Sequence, residues 1–167
     1  MQKQALGIDI GGVIIKRIDA DADTSFQDDF VNTPPVNGAI EAINDIASRR
    51  FGAHVYLVSK CGPDVEALTM QWLNAHRFFQ RSGIPPGNIR FCRERDQKAQ
   101  ICAGLGITDF IDDRLEVLGN LKTVTNLYLF QPRADEVARF ARHLSRVHVV
   151  HSWERLREIF RETASER

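Results

Sequence analysis

Apolar residues recur along this chain in two alternating rhythms. Short apolar runs at Ala5 to Asp9, His54 to Val58, Ile89 to Cys92, Asp109 to Ile111, Val124 to Phe130 and Val147 to Val150 predict strands. Between them the apolar positions fall three or four apart, the spacing of one helix face. Val36 to Arg50 carries Ile40, Ile43, Ile46 and Ala47, follows Thr33-Pro34-Pro35 and stops at Gly52. Asp64 to Arg81 carries Val65, Leu68, Trp72, Leu73 and Phe79 and is broken by Gly83-Ile84-Pro85-Pro86-Gly87. Asp96 to Leu105 ends at Gly106. Leu115 to Leu121, Pro132 to Leu144 and Trp153 to Phe160 complete the helical stretches. Two segments have no period. Residues 16–33 read as a loop or small flap, and Arg161 to Arg167 as a polar, frayed tail.

Strands alternating with helices over residues 1–167 predict one α/β domain: a doubly wound parallel sheet with helices on both faces. Parallel strands joined by right-handed crossovers place all their carboxyl ends on one edge. Asp9, Ser59 and Asp112-Asp113 each follow an apolar strand and should converge there, where open α/β sheets bind ligands. No insert is long enough for a sizeable cap domain.

Composition narrows the partners. Lys+Arg and Asp+Glu are both 22, so no net charge draws the chain to nucleic acid or an anionic membrane. No apolar run has transmembrane length, and the first residues lack signal-peptide form. Cys61, Cys92 and Cys102 are an odd number without metal spacing, which points to reduced thiols and a cytoplasmic location.

The candidate chemistry is a set rather than a single residue. Asp9 sits beside the Gly11-Gly12 turn, whose missing side chains let backbone approach a ligand. Asp112 and Asp113 are oxygen donors of the kind that hold Mg²⁺. Ser59 and Lys60, just before a helix start, offer an anion site, and Lys98 opens the helix before Asp112. Each alone has a structural explanation as a cap or a solvated charge; their shared edge is what raises them. Asp19, Asp21 and Asp23 lack the glycine and closing glutamate of a calcium loop. His54, His143, His148 and His151 have no partner at metal spacing. Arg93 and Arg95 lie where they could meet an anion or simply form a solvated turn, and Arg133, Arg139, Arg142 and Arg146 read as a solvated helix face.

Asp9-Ile10-Gly11-Gly12-Val13, Ser59, Lys98 and Asp112-Asp113, in this order, resemble the haloacid dehalogenase superfamily, rich in phosphatases that use an aspartate nucleophile. The resemblance implies a Mg²⁺-dependent phosphatase in which Asp9 forms an aspartyl-phosphate. Ser59 and Lys60, with Gly11 and Gly12, would hold the phosphoryl group, and Lys98 would neutralise charge. Asp9, the Gly11 carbonyl, Asp112 and Asp113 would bind the metal. It also implies a phosphorylated small-molecule or macromolecular substrate, or a cap supplied by a second subunit of a homo-oligomer. One position departs from the pattern. Gly11 stands where such phosphatases carry a second aspartate, the general acid, which is worth about 10²–10⁴-fold in rate. Asp19, Asp21 or Asp23 could supply the proton instead. The alternative is a catalytically impaired relative that serves as a binding or regulatory module. Asp9-Ile10-Gly11-Gly12 is also similar to a sugar-kinase phosphate loop, but the chain is too short for that two-domain fold.

Overall fold

A computed structural model of the chain describes residues 3–17 and 30–165. The loop acids Asp19, Asp21 and Asp23 lie outside the described residues. Six strands, β1 (Leu6–Ile8), β2 (Val55–Lys60), β3 (Ile89–Cys92), β4 (Asp109–Asp112), β5 (Asn126–Phe130) and β6 (Val147–Val150), form one sheet. Their order is β3-β2-β1-β4-β5-β6, and every neighbouring pair is parallel. This is a Rossmann-like, doubly wound fold. The strand order reverses between β1 and β4, and the crevice at such a switch point is where open parallel sheets take ligands.

The alternation of side chains across each strand divides the core in two. Tyr128 and Phe130 enter one cluster, and Leu127 and Leu129 the other. The first face is covered by α1 (Ala39–Ile46), α2 (Pro63–Ala75), α3 (Phe78–Ser82) and α7 (Trp153–Ser165), through Ile40, Ile43, Trp72, Phe78, Trp153 and Phe160. The second is covered by α4 (Arg95–Gly104) and α5 (Leu115–Asn120), through Cys102, Leu115 and Leu118, with α6 (Ala134–Arg139) alongside through Val137. No helix among the described residues is long and apolar enough to cross a membrane.

Several boundaries differ from the sequence expectation. The stretch Asp64 to Arg81 is two helices, not one, because Arg77 is left-handed at φ 52°. In a continuous helix Phe78 would point away from the Trp72–Leu73 face. The break turns both Phe78 and Phe79 into the core. α1 begins only after the left-handed Gly38, and a π-helical turn, Ala47–Phe51, carries it to Gly52. The Pro132 to Leu144 stretch splits into α6 and a 3₁₀ segment, Ala141–Arg146; neither buries a residue fully, so little packing holds a longer helix. β5 starts at Asn126 rather than Val124. The expected frayed tail is helical through Ser165, since Arg161 bonds Asp45 and Thr163 donates to the Ile159 carbonyl.

Candidate functional site at the switch point

β1 ends at Ile8, and the Asp9 amide still donates to the Ile111 carbonyl of β4 at 3.0 Å. Pairing across the switch point therefore fixes Asp9 beside Asp112, the last residue of β4. The chain then turns at Gly12. Its φ is +78°, and an added Cβ would lie 2.4 Å from Asp113 Oδ2, so only glycine fits this approach. The Trp153 indole N–H, from α7, donates to the Val13 carbonyl at 2.8 Å and pins the turn from below.

Lys98 reaches this point from α4. Glu94 and Gln97 form a capping box at the start of that helix, which sets its first residue, Arg95, three positions before the lysine. Lys98 is 2% exposed; its Nζ donates to Asp112 Oδ2 at 2.8 Å and to Asp9 Oδ1 at 3.2 Å. It also lies 5.1 Å from the centre of the Phe110 ring. Asp112 Oδ1 accepts from the Arg114 amide at 3.0 Å. Asp113 is held by Arg17, whose Nη2 lies 2.9 Å from Asp113 Oδ2 and also donates to the Gln131 carbonyl.

Oxygens of Asp9, Asp112 and Asp113 all lie within 4.8 Å of one another. The electrostatics follow from that crowding. Burial, and then the Asp112 charge, push the Asp9 carboxyl up to about 6 against the pull of Lys98. Burial, then Asp112 and Asp9, push Asp113 up to about 8, with Arg17 opposing. Burial works against the Lys98 ammonium, but Asp112 and Asp9 together outweigh it and hold it above the ordinary lysine range. Three carboxyl groups thus share too little positive charge. An all-oxygen donor set in this state fits a hard divalent cation such as Mg²⁺.

Above Asp9 opens a cleft of about 340 Å³, lined by Gly11, Gly12, Ser59, Lys60, Asp113 and Arg114 among others. The expected site residues therefore sort into two layers. Asp9, Gly11, Gly12, Ser59, Lys60 and Asp113 face the cleft, while Lys98 and Asp112 form a buried floor behind Asp9. An added Cβ at Gly11 would meet nothing within 4 Å, so this position is open toward the cleft. Ser59 precedes α2, whose N-cap Gly62 offers no side-chain bond to the first helical amides. Arg93 and Arg95 do not line the cleft; they pair with Glu66 at 2.5 Å and Glu116 at 2.6 Å. None of His54, His143, His148 and His151 lines it either.

Arg17 and Arg114 are the members that sequence reasoning missed. Arg17 sits in an aperiodic stretch, 96 positions from its partner, and its nearness to the glycine turn was the one signal. A further cavity of about 400 Å³ lies between α1 and α7. There Arg49, Arg157 and Arg161 converge on Asp45, and Arg49, then Arg161, hold its carboxyl down at about 2. The Arg157 and Arg161 pairs tie the two helices together.

No family model matches the chain, and no curated protein matches it. Among solved structures it is similar to a de novo designed Rossmann 3x3 fold protein determined by solution NMR. That likeness has a TM-score of 0.41 at 10% identity and covers 97% of this chain and 93% of that chain.

Proposed function

We propose that this chain is a Mg²⁺-dependent phosphohydrolase that works through an aspartyl-phosphate on Asp9. One observation carries the reading. Asp9 faces an open cleft on one side and on the other is hydrogen-bonded to a buried lysine shared with Asp112. A carboxyl held near 6 is still mostly ionised at pH 7, and the Lys98 ammonium keeps it so while an anionic phosphoryl group approaches. Asp9 then attacks phosphorus, the bond to the leaving oxygen breaks, and that oxygen takes the electron pair. Water hydrolyses the acyl phosphate in a second step and restores the carboxylate. Ser59 and Lys60 line the cleft where phosphoryl oxygens would be bound. Asp9, Asp112, Asp113 and the Gly11 carbonyl would hold the Mg²⁺, which supplies charge neutralisation for the phosphoryl oxygens. The three free cysteines suit a reducing, cytoplasmic setting.

Gly11 bears no acid, so the leaving group must depart without a proton from this position. Acyl phosphates and aryl phosphates meet that condition. The test is phosphate release from acetyl phosphate and p-nitrophenyl phosphate, with and without Mg²⁺, for the wild type and Asp9→Asn. Metal-dependent release that disappears in the variant is expected. Release no greater than that of Asp9→Asn on both substrates would overturn the reading in favour of a phosphate-binding module without turnover.

A further inference from the structure

Arg133, Arg139, Arg142 and Arg146 are all exposed, as their spacing implies, but they are not equivalent. Arg142 lies over the Phe140 ring, and Arg146 donates to the Gly119 carbonyl. Arg133 and Arg139 instead bracket α6 and, with Arg114, line a separate cavity of about 360 Å³. This cavity shares Arg17, Asp113 and Arg114 with the cleft above Asp9, so the two adjoin at these residues.

Its lining carries four arginines and three acids, and two of the acids are already engaged. Of the acids lining it, Asp113 is occupied by Arg17, and Glu136 accepts the Leu115 and Glu116 amides at 3.0 and 2.9 Å. That leaves Asp135, two-thirds exposed and 3.5 Å from Arg133. Arg114 has Glu116 at 3.3 Å, but Arg95 holds the same carboxylate more closely, at 2.6 Å. Arg139 stacks on Phe140 at 5.4 Å and makes no ion pair among the described residues. Three exposed guanidinium groups thus line this cavity, and Arg114 also lines the cleft. Guanidinium is the group best shaped for bidentate bonds to phosphate oxygens.

We infer that Arg114, Arg133 and Arg139 form a second anion subsite that takes another phosphate group of the substrate whose first phosphate lies over Asp9. The inference rests on the phosphate reading of the Asp9 cleft and narrows the substrate class to molecules with two phosphates. Contact with a second phosphate adds affinity because its ordering cost is already met by the first.

The test is isothermal titration calorimetry in Mg²⁺ buffer with α,ω-alkanediol bisphosphates of two to six carbons, each against its monophosphate. The full chain is compared with Arg133→Ala/Arg139→Ala, and Arg139→Gln serves as a second, milder variant. At the best spacer the wild type should bind the bisphosphate at least about tenfold more tightly than the monophosphate, the gain of one or two charge-assisted hydrogen bonds. In the double variant the ratio should fall towards one, with an intermediate value in Arg139→Gln. A ratio near one at every spacer in the wild type, or an unchanged ratio in the double variant, would overturn the subsite. Heat from neither ligand class would overturn it together with the phosphate reading. Absence of turnover alone, with the ratio intact, would sink only the hydrolase.

Discussion

Lys98→Met removes the one cation buried among the site carboxyls while filling a similar volume. Lys98 has 3% side-chain exposure and bonds carboxylates at 2.8 and 3.2 Å. Breaking a buried pair by removing one partner costs about 3–5 kcal/mol, since the surviving charge is stranded. A stranded carboxylate can escape by taking a proton, and this caps the loss. Protonating a group of ordinary pKa 3.8 costs about 1.4 kcal/mol for each pH unit above that value. The cap is about 1.6 kcal/mol at pH 5 and about 5.7 at pH 8, so the full penalty of rupture can appear only at the higher pH. Trp72 and Trp153 are both fully buried, so urea unfolding can be followed by fluorescence without divalent cation. The variant should lose about 3–5 kcal/mol relative to wild type at pH 8 and no more than about 2 kcal/mol at pH 5. An equal loss at both pH values, or a loss under about 1 kcal/mol at pH 8, would refute charge compensation by Lys98.

The wild type should itself be pH-sensitive. Asp9 at about 6 and Asp113 at about 8 both lie above the ordinary 3.8, so the folded chain keeps protons that the unfolded chain has released. Stability without divalent cation is then full below about pH 4 and falls as pH rises through 6 and towards 8; Asp113→Asn should flatten the upper part, and a level wild-type profile would contradict it. Gly12→Ala should cost about 1–3 kcal/mol in thermal or urea melts, whereas Gly11→Ala should stay within about 0.5 kcal/mol. Gly11→Asp should fold normally and raise alkyl phosphate ester hydrolysis by about 10²–10⁴-fold, measured as phosphate release; no gain in a folded, Mg²⁺-binding variant would show that this position does not address the leaving group. Arg50 lies 3.7 Å from the fully buried Asp109, so Arg50→Ala should destabilise by about 3–5 kcal/mol in urea unfolding.

The doubly wound sheet was legible because each strand is a short apolar run and each crossover an amphipathic helix. Once parallel strands are granted, the convergence of Asp9, Ser59 and Asp112-Asp113 on one edge follows from topology alone. Lys98 was set beside Asp9 by the resemblance alone, and its bond to Asp112 was not foreseen. What remained hidden depends on pairings that no local period encodes. Arg17 meets Asp113 across 96 positions, and Arg50 meets Asp109 at the far end of β4. The Arg77 break was hidden for a different reason. A helical period reads Trp72, Leu73 and Phe79 as one face, and nothing local shows that burying Phe78 too outweighs a left-handed residue.

The two adjacent glycines of the turn make different demands, and the difference bears on the chemistry. Gly12 is required by the fold: its backbone is left-handed and its α-carbon abuts the Asp113 carboxylate. Gly11 has neither constraint, since its φ is not positive and a Cβ would stand in open space. The missing side chain at position 11 therefore cannot be explained by backbone geometry or crowding. What it leaves is room beside Asp9, in a cleft already open above. A side chain there would occupy part of that cleft. On the phosphohydrolase reading, Gly11 exchanges a built-in proton donor for access. Such an exchange costs little for acyl phosphates and dearly for alkyl esters, whose alkoxide departs poorly without a proton. The arginines beside the same opening would then set selectivity by charge on the substrate's second phosphate, leaving the shape of its leaving group largely unread.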